Sequence, residues 1–366
     1  MQRAEPLDEP VTGWARAPRR LRSRLWRPLP LAVLLLALTA GLAATLGTAA
    51  IPATTAIALV LNQLPFVALP VDGPAAWERI VVDVRLPRIA IAGVTGAALA
   101  YSGATYQGVF RNTLADPYLL GVASGAGLGA AVAIMSPLDA GTYGFGWVPL
   151  CAFAGAGAAV TLTYLFAHAG GHGASGGGSD TALILAGVAV SAVASAVTSF
   201  AMLTGGERAQ PIFSFLFGTL NSANWERLLV GSPYVLLGAA AIVPYARVLN
   251  VLQLDEQQAT ELGVDVTRTK VVLLAGASLL AAAAVALAGV IGFVGLVIPH
   301  VVRMVYGHDY RRLLPLAAVL GAAFLIGADA VARTVLRPQE VPVGIVTALV
   351  GGPFFLYVLR ARGGRA

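Results

Sequence analysis

LNVLQLDEQQATELGVDVTRTK, residues 249–270, is a polar stretch between two long apolar parts of the chain. Apolar residues recur in it at helical intervals, at Leu249, Leu252, Ala259 and Leu262. Gly263 stands where a glycine would end the helix. The stretch is acidic in a chain of formal net charge +6, because it contains Asp255, Glu256, Glu261 and Asp265. We therefore predict a short amphipathic docking helix rather than a plain connector.

The composition predicts a polytopic membrane protein. Hydrophobic residues make up 57% of the chain and charged residues only 11%, whereas a soluble domain has roughly 25% charged residues. The single cysteine, Cys151, excludes an internal disulfide, and none of the four histidines has the spacing of a zinc motif. We expect no metal site, no cofactor and no nucleic-acid partner.

A P-loop ATPase is excluded by the lysine content. The only lysine, Lys270, lies in TRTK, without the glycine-rich loop that precedes the lysine of a Walker A motif. We therefore do not expect this chain to be an enzyme. If its transport uses ATP, a separate subunit must hydrolyse the ATP.

The apolar runs are interpreted as ten membrane spans, each needing ~20 residues. They lie at about 29–50, 86–109, 117–136, 146–168, 182–204, 229–249, 271–288, 290–306, 313–331 and 343–360. Residues 1–28 form an arginine-rich tail, and residues 29–366 form the transmembrane domain. The first run is too long for a cleaved signal peptide, so we interpret it as a retained span. The tail is then cytoplasmic by the positive-inside rule, and ten spans place both termini in the cytoplasm.

Three arginines depart from the positive-inside distribution, because they fall at outer ends of predicted spans: Arg85, Arg88 and Arg333. Two interpretations stay open for them. Their heads reach water at helix ends, or they form a basic collar for an acidic partner. Asp329 stands four residues before Arg333, which favours an intrahelical ion pair over a proton-relay aspartate.

Local motifs predict helix packing and helix starts. In FRNTLADPYLLG, Asp116 before Pro117 predicts the N-cap of the third span. His168 and His172 stand four apart in a glycine-rich loop, where glycines argue against a helical metal site. Glycines that allow close helix contact recur every four residues in the third run, at Gly121, Gly125 and Gly129.

Three blocks of sequence carry a resemblance to a known family. They are RLPRIAIAGVTGAALAYSGATYQGVFRNTLADPYLLGVASGAGLGA (85–130), LAGVIGFVGLVIPHVVRMVYGHDYRRLLP (287–315) and VPVGIVTALVGGPFFLYVLR (341–360). Together they resemble the FecCD family, the permease subunits of type II ABC importers for iron–siderophore complexes, haem and vitamin B12. The resemblance implies a ten-span protomer in the lipid bilayer that works as a homodimer. It also implies two ABC ATPase subunits and a periplasmic or lipid-anchored substrate-binding protein as partners.

The resemblance also implies roles for individual residues. Binding-protein docking would involve Arg85, Arg88 and Arg333. A cytoplasmic gate would involve Asn112, Leu114, Asp180 and Thr181, although Asp180 departs from the small hydroxyl residue expected at its position. The segment 251–267, between two five-span halves, would couple to the ATPase through Leu254, Glu256, Ala259, Glu261, Leu262 and Gly263.

The expected function is that of an all-α permease of the cell inner membrane. It would translocate an iron complex, a ferric siderophore or haem, by ATP-driven alternating access, with vitamin B12 transport as the alternative. An ATP-independent secondary transporter or channel is a different class, which usually carries ionisable residues inside its spans. This chain has few of them. An intramembrane enzyme would need a nucleophile–base or paired-carboxylate arrangement, and none stands out.

Overall fold

The computed structural model describes residues 28–47, 49, 51–136, 146–169 and 178–363. Within these residues all regular secondary structure is helical, which confirms the predicted all-α class. The α-helices are α1 (Pro28–Thr45), α2 (Ala53–Leu61), α3 (Ala75–Arg79), α4 (Leu86–Val109), α5 (Val122–Met135), α6 (Trp147–Ala169), α7 (Gly178–Thr204), α8 (Ala209–Leu216), α9 (Trp225–Ile242), α10 (Ala246–Val251), α11 (Glu256–Glu261), α12 (Val266–Ala288), α13 (Val294–Tyr306), α14 (Tyr310–Ala332) and α15 (Val343–Gly363). The predicted tail, up to residue 27, and His172 lie outside the described residues.

A helix coincides with each of the ten predicted apolar runs. Six described segments are long and apolar enough to cross a membrane: Pro28–Thr45, Trp147–His168, Thr181–Thr204, Trp225–Val251, Val266–Ala288 and Tyr310–Ala332. The shorter apolar helices α5, α13 and α15 and the 24-residue α4 occupy the other four runs. The multi-pass architecture is confirmed, and the number of ten crossings stays a prediction. Six runs precede residues 251–267 and four follow, so by position this segment does not separate two sets of five.

Two helix breaks follow from local sequence. The Asp116 carboxylate accepts a hydrogen bond from the Tyr118 backbone N–H at 2.8 Å, so the predicted cap forms, but it starts the 3₁₀ turn Pro117–Leu120 rather than an α-helix. Gly121, with φ of +83°, then joins a 3₁₀ turn to α5. Gly289, with φ of +72°, ends α12, and a Cβ there would lie 2.4 Å from the Phe215 carbonyl oxygen. Glycine suits this break because it adopts a positive φ without strain and has no Cβ to clash with the carbonyl oxygen.

Helix α4 lies at the centre of the fold and packs against α12, α13 and α14. Its backbone touches its neighbours directly. A Cβ at Gly96 would lie 2.2 Å from the Gly321 carbonyl oxygen, and one at Gly103 would lie 2.0 Å from the Gly295 carbonyl oxygen. Since lipid gives no hydrophobic drive for helix association, such contacts between small residues let dispersion forces hold the bundle together.

Hydrogen bonds from buried side chains also join α4 to its neighbours. The Tyr106 hydroxyl and the Ser278 hydroxyl lie 2.6 Å apart, and the Ser102 hydroxyl donates to the Ala277 carbonyl oxygen at 2.7 Å. The Gln107 amide donates to the Gly295 carbonyl oxygen at 3.2 Å. Because these polar groups are buried, their pairing fixes how α4 is set against α12 and α13.

Two of the three glycines of the third run pack as closely as predicted, whereas Gly121 precedes α5 and a Cβ there would meet its nearest neighbours at an ordinary 3.5 Å. Gly125 meets Gly155 of α6 so closely that a Cβ would lie 2.4 Å from its carbonyl oxygen. A Cβ at Gly129 would lie 2.0 Å from the Cys151 carbonyl oxygen, also on α6. Helices α5, α6 and α7 therefore form a second compact group beside α12.

Gly103→Ala should destabilise the protein, because the new Cβ would force α4 and α13 apart. Overpacking of this kind costs about 1–3 kcal/mol, and alanine gains only ~1 kcal/mol over glycine within a helix. We expect a lower thermal transition in detergent, measured by fluorescence-detected size-exclusion chromatography. Gly157→Ala is the matched control, since nothing lies within 4 Å of a Cβ at that position of α6. A Gly103→Ala protein as stable as the wild type would contradict the contact.

Candidate functional site

The two ends of α4 mark two candidate sites. Arg88, in its first turn, belongs to a cluster of charged residues that we call the arginine end. At the other end, the carbonyl oxygen of Gly108 accepts a hydrogen bond from the Gln253 side chain, which belongs to the predicted coupling segment. We call this the coupling end. One rigid helix therefore connects the two regions that the sequence singled out.

The stretch 249–270 is not the single helix that the sequence predicted, because it contains the end of α10, the short α11 and the start of α12. Helix α10 ends at Val251, and α11 begins after Asp255, whose carboxylate accepts from the Glu256 backbone N–H at 2.8 Å. This capping bond holds Asp255 in an extended conformation and interrupts the helix.

Gly263 ends α11 as predicted. Its φ is +82°, and its N–H donates to the Thr260 carbonyl oxygen while the N–H of Val264 donates to that of Ala259. This pair of bonds is the Schellman arrangement, which satisfies the carbonyl groups at a helix end. The turn leaves the chain at Gly263 exposed, with open space around its Cα.

Charged side chains fasten the coupling segment to the membrane helices. Glu256 pairs with Lys270 of α12 at 2.7 Å and with Arg111, just beyond α4, at 3.3 Å. The Arg111 guanidinium also donates to the Leu254 carbonyl oxygen at 3.2 Å. Glu256 is thus held by internal partners, although its side chain is only partly buried.

A second tether joins the start of the segment to α14. The Asn250 amide donates to the Asp309 carboxylate at 2.8 Å, and its oxygen accepts from the Tyr310 backbone N–H at 2.9 Å. Burial would raise the pKa of Asp309, but hydrogen bonds from Arg311 and Asn250 outweigh it and lower the pKa to about 2. Asp309 therefore stays ionised at neutral pH.

The six predicted ATPase contacts divide into two groups. Ala259 is fully buried and Glu256 is engaged internally. Leu262 is 65% exposed and Leu254 is 45% exposed, and Glu261 and Gly263 are exposed beside them. The segment thus presents apolar side chains to solvent at the coupling end.

Two of the predicted gate residues lie next to the coupling segment. The Asn112 side chain accepts from the Leu114 backbone N–H at 2.9 Å and closes the turn after Arg111. Leu114 is exposed on this turn. Thr181 is exposed in the first turns of α7, and the side chain of Asp180 lies outside the described residues. A gating role stays a prediction for all four.

The arginine end is a buried network of four charged groups. Arg88 pairs with Asp329 at 2.9 Å and with Glu340 at 2.9 Å. Arg333 pairs with the other oxygen of Asp329 at 3.0 Å, which confirms the predicted intrahelical pair. Two cations and two anions balance one another in this network, and the neighbouring buried Arg85 donates to carbonyl oxygens instead.

The guanidinium groups of Arg85 and Arg333 also donate to backbone carbonyl oxygens at the end of α1. Arg85 donates to the carbonyl oxygens of Ala44 and Ala49 at 2.8 and 2.6 Å, and Arg333 donates to those of Ala43 and Leu46. The last carbonyl groups of a helix have no partner within the helix, and cations at this end also offset its dipole.

The expected exposure of the three arginines is therefore wrong. Arg85, Arg88 and Arg333 are 3%, 8% and 3% exposed, so they form neither a solvent-facing collar nor side chains that reach water. The reason is that carbonyl groups of α1 and the carboxylates of Asp329 and Glu340 surround them, contacts that only the folded chain creates. A role in docking is not tested by this placement.

A row of hydroxyl groups on α7 was not singled out from the sequence. Ser191, Ser195 and Ser199 recur every four residues, and the last two are exposed. Ser191 and Ser195 line an open cavity of about 590 Å³, together with Asp116 and Tyr118. Serines on one helix face are typical of contacts between membrane helices and can also face a water-filled cavity. The spacing of four was the available signal.

Comparisons with known proteins place the chain in a family. The FecCD transport family matches residues 33–361. The cobalamin import system permease protein BtuC of Halobacterium salinarum is 44% identical over 348 residues, which cover 93% of this chain and 91% of the relative. The hemin transport system permease protein HmuU of Yersinia pestis is 42% identical over 298 residues, covering 79% and 85%.

A solved structure supports the same placement. It is described as an inward-facing conformation of a metal-chelate type ABC transporter, and it matches with a TM-score of 0.76 and 29% sequence identity. The match covers 93% of this chain and 99% of that one. This chain, a multi-pass helical membrane protein, therefore belongs to the FecCD transport family and is the permease of a type II ABC importer, a family that works with ATPase and binding-protein partners.

Proposed function

We propose that the chain translocates an iron complex by ATP-driven alternating access, as a homodimer with two ABC ATPase subunits and an external binding protein. It would lie in the cell inner membrane with both termini in the cytoplasm. The observation that carries this proposal is the coupling segment, which exposes apolar side chains and is tied to α4, α12 and α14 at the same time.

These ion pairs and hydrogen bonds would transmit a movement of the coupling segment to the membrane helices. A push on α11 would reach α12 through Glu256 and Lys270, and α4 through Arg111 and Gln253. The turn that contains Asn112 follows Arg111 directly, so the same push would move the proposed gate. Charge-assisted hydrogen bonds suit this task, because they are directional and strong when partly buried.

The ATPase would bind the exposed face of the segment. Leu254 and Leu262 would fill an apolar groove, with Glu261 at its rim and Gly263 allowing close approach. Glu256 and Ala259 would act inside the permease, Glu256 in transmission and Ala259 in packing. The acidic residues of the segment would then surround its apolar contact with the ATPase.

The cargo is proposed to be an iron complex, haem or a ferric siderophore, with cobalamin as the alternative. The relatives reported above are named for hemin and cobalamin, and their identities to this chain, 42% and 44%, differ too little to choose between them. Both cargos are metal complexes of large macrocycles. The hydroxyl face of α7 would offer such a cargo weak polar contacts without a tight site, as passage requires.

A secondary transporter is disfavoured by where the charges lie. Ion-coupled carriers place ionisable groups at mid-membrane to bind the coupling ion. Here Asp329 already accepts hydrogen bonds from Arg88 and Arg333 at the arginine end, so it has no oxygen left without a cationic partner.

Docking of the binding protein through Arg85, Arg88 and Arg333 stays part of the proposal in a modified form. Their buried contacts would fix the shape of the arginine end, on which the binding protein sits, rather than contact it. Reversal of these charges would then damage the permease itself.

The proposed function is tested in liposomes that contain the permease and its ATPase subunit. We expect the haem-loaded binding protein to raise ATP hydrolysis several-fold and to cause haem accumulation inside. Stimulation by a cobalamin-loaded binding protein alone would assign the second cargo. Uptake without the ATPase subunit would contradict the importer mechanism.

Leu262→Asp should abolish binding of the ATPase subunit, because it places a charge in an apolar contact. Glu256→Gln is the companion variant and should keep ATPase binding while losing stimulation by the loaded binding protein, since only its internal ion pairs weaken. Copurification and ATP hydrolysis separate the two effects. Retained binding in Leu262→Asp would show that the segment is only a linker.

Ser195→Cys, in a Cys151→Ser background, should react with a membrane-impermeant maleimide in liposomes, because a thiolate forms only where water reaches it. Leu236→Cys on the exposed side of α9 is the matched control and should stay unlabelled in lipid. Labelling is measured by the mass shift of the protein. Protection of Ser195→Cys equal to that of the control would contradict a water-facing role for this side of α7.

A further inference from the structure

The chain between α1 and α4 carries an exposed apolar surface. From residue 28 to residue 71 the sequence has no charged residue, although only α1 is long enough to cross a membrane there. The remainder is α2 and the loop 62–69, and both expose large apolar side chains. Ile57 and Leu64 are about half exposed, and Phe66 is fully exposed.

The loop 62–69 has a defined conformation. The Asn62 amide donates to the Leu69 carbonyl oxygen at 3.0 Å, and its oxygen accepts from the Leu69 backbone N–H at 2.7 Å. This pair of bonds closes the loop at its base. Phe66, at the tip, has φ of +77°, a backbone conformation that is uncommon for a side chain of this size. The loop is therefore built to present Phe66.

Helix α2 is apolar on two faces. Ala56 and Leu59 pack with Ile51 and Val81 in a small cluster separate from the main core. The side that carries Ile57 and Leu61 is exposed. Beyond Thr54 and Thr55 in its first turn the helix is apolar on every side, and such helices occur in contact with protein or lipid.

The position of α2 indicates lipid as its neighbour. It packs on α1, whose exposed face consists of leucines, including Leu34, Leu38 and Leu42. Trp77, which packs against the same cluster as α2, and Trp225, whose indole donates to the Val82 carbonyl oxygen, lie beside it. Tryptophan is enriched where a membrane meets water.

Charged residues begin directly after the apolar loop 62–69, and we interpret them as facing water. The exposed residues that follow the loop include the first charged groups after the stretch: Asp72, Glu78, Arg79 and Asp83. The chain thus carries charges as soon as it leaves the apolar loop. The same short region contains a charge-free surface continuous with α1 and a charged surface, as expected for a segment at the boundary between lipid and water.

We propose that α2 and the loop 62–69 form an interfacial anchor, which lies in the membrane–water interface at the arginine end and inserts Phe66 among phospholipid acyl chains. It would fix the depth of α1 and of the arginine cluster that caps α1. A substrate-binding protein or a second copy of the chain could also cover an apolar loop. The continuity with the leucines of α1 and the absence of charge favour lipid.

Spin labels in the reconstituted full-length permease test the anchor. Single cysteines in a Cys151→Ser background are labelled at three positions: Phe66→Cys, Leu38→Cys as the lipid control, and Gln257→Cys as the water control. Accessibility to oxygen and to a water-soluble nickel chelate is measured by electron paramagnetic resonance. We expect the label at position 66 to resemble the one at 38, with oxygen accessibility several-fold above nickel accessibility.

Three outcomes would overturn the proposal. Nickel accessibility at position 66 equal to that at 257 would place the loop in water. Protection from both reagents would mean that protein covers it, as in contact between copies. A change at position 66 on addition of the loaded binding protein, with none at 38, would identify that protein as its partner.

Discussion

The close approach of α4 to its neighbours is the constraint on which the rest of the structure depends. Gly96 and Gly103 put the backbone of α4 in contact with the carbonyl groups of Gly321 and Gly295. Without a hydrophobic force between helices in lipid, such short contacts and the hydrogen bonds of Tyr106 and Ser102 hold the bundle together.

Helix α4 has a cluster of charged or polar contacts at each of its two ends. At one end Arg88 shares Asp329 with Arg333, so the balanced charges can stay buried. Removal of one partner would leave an unpaired buried charge, which is far more damaging than the net worth of the pair. At the other end Gly108 and Arg111 receive the coupling segment. The coupling segment and the arginine cluster therefore contact opposite ends of the same helix.

The two ends differ in how far along the chain their partners lie, which explains why the sequence predicted the glycine end of α11 but not the burial of the arginines. Around Glu256 the sequence showed an acidic helix with a glycine stop, and local bonds at Asp255 and Gly263 produce that shape. Arg85 and Arg333 instead find their partners 36–41 and 287–290 residues away, in the carbonyl groups that end α1. Such distant contacts cannot be inferred from charge distribution along the chain.

The sequence by itself determined the membrane class, the helical runs, the cap at Asp116, the glycine contacts of the third run and the family blocks, because these depend on composition and short spacings. Only the tertiary structure decided that the arginines are internal, that Glu256 faces Lys270 and Arg111, and that Phe66 is presented at the tip of a closed loop. The physical reason is that burial and pairing depend on which distant segments meet. That is set by backbone packing around α4.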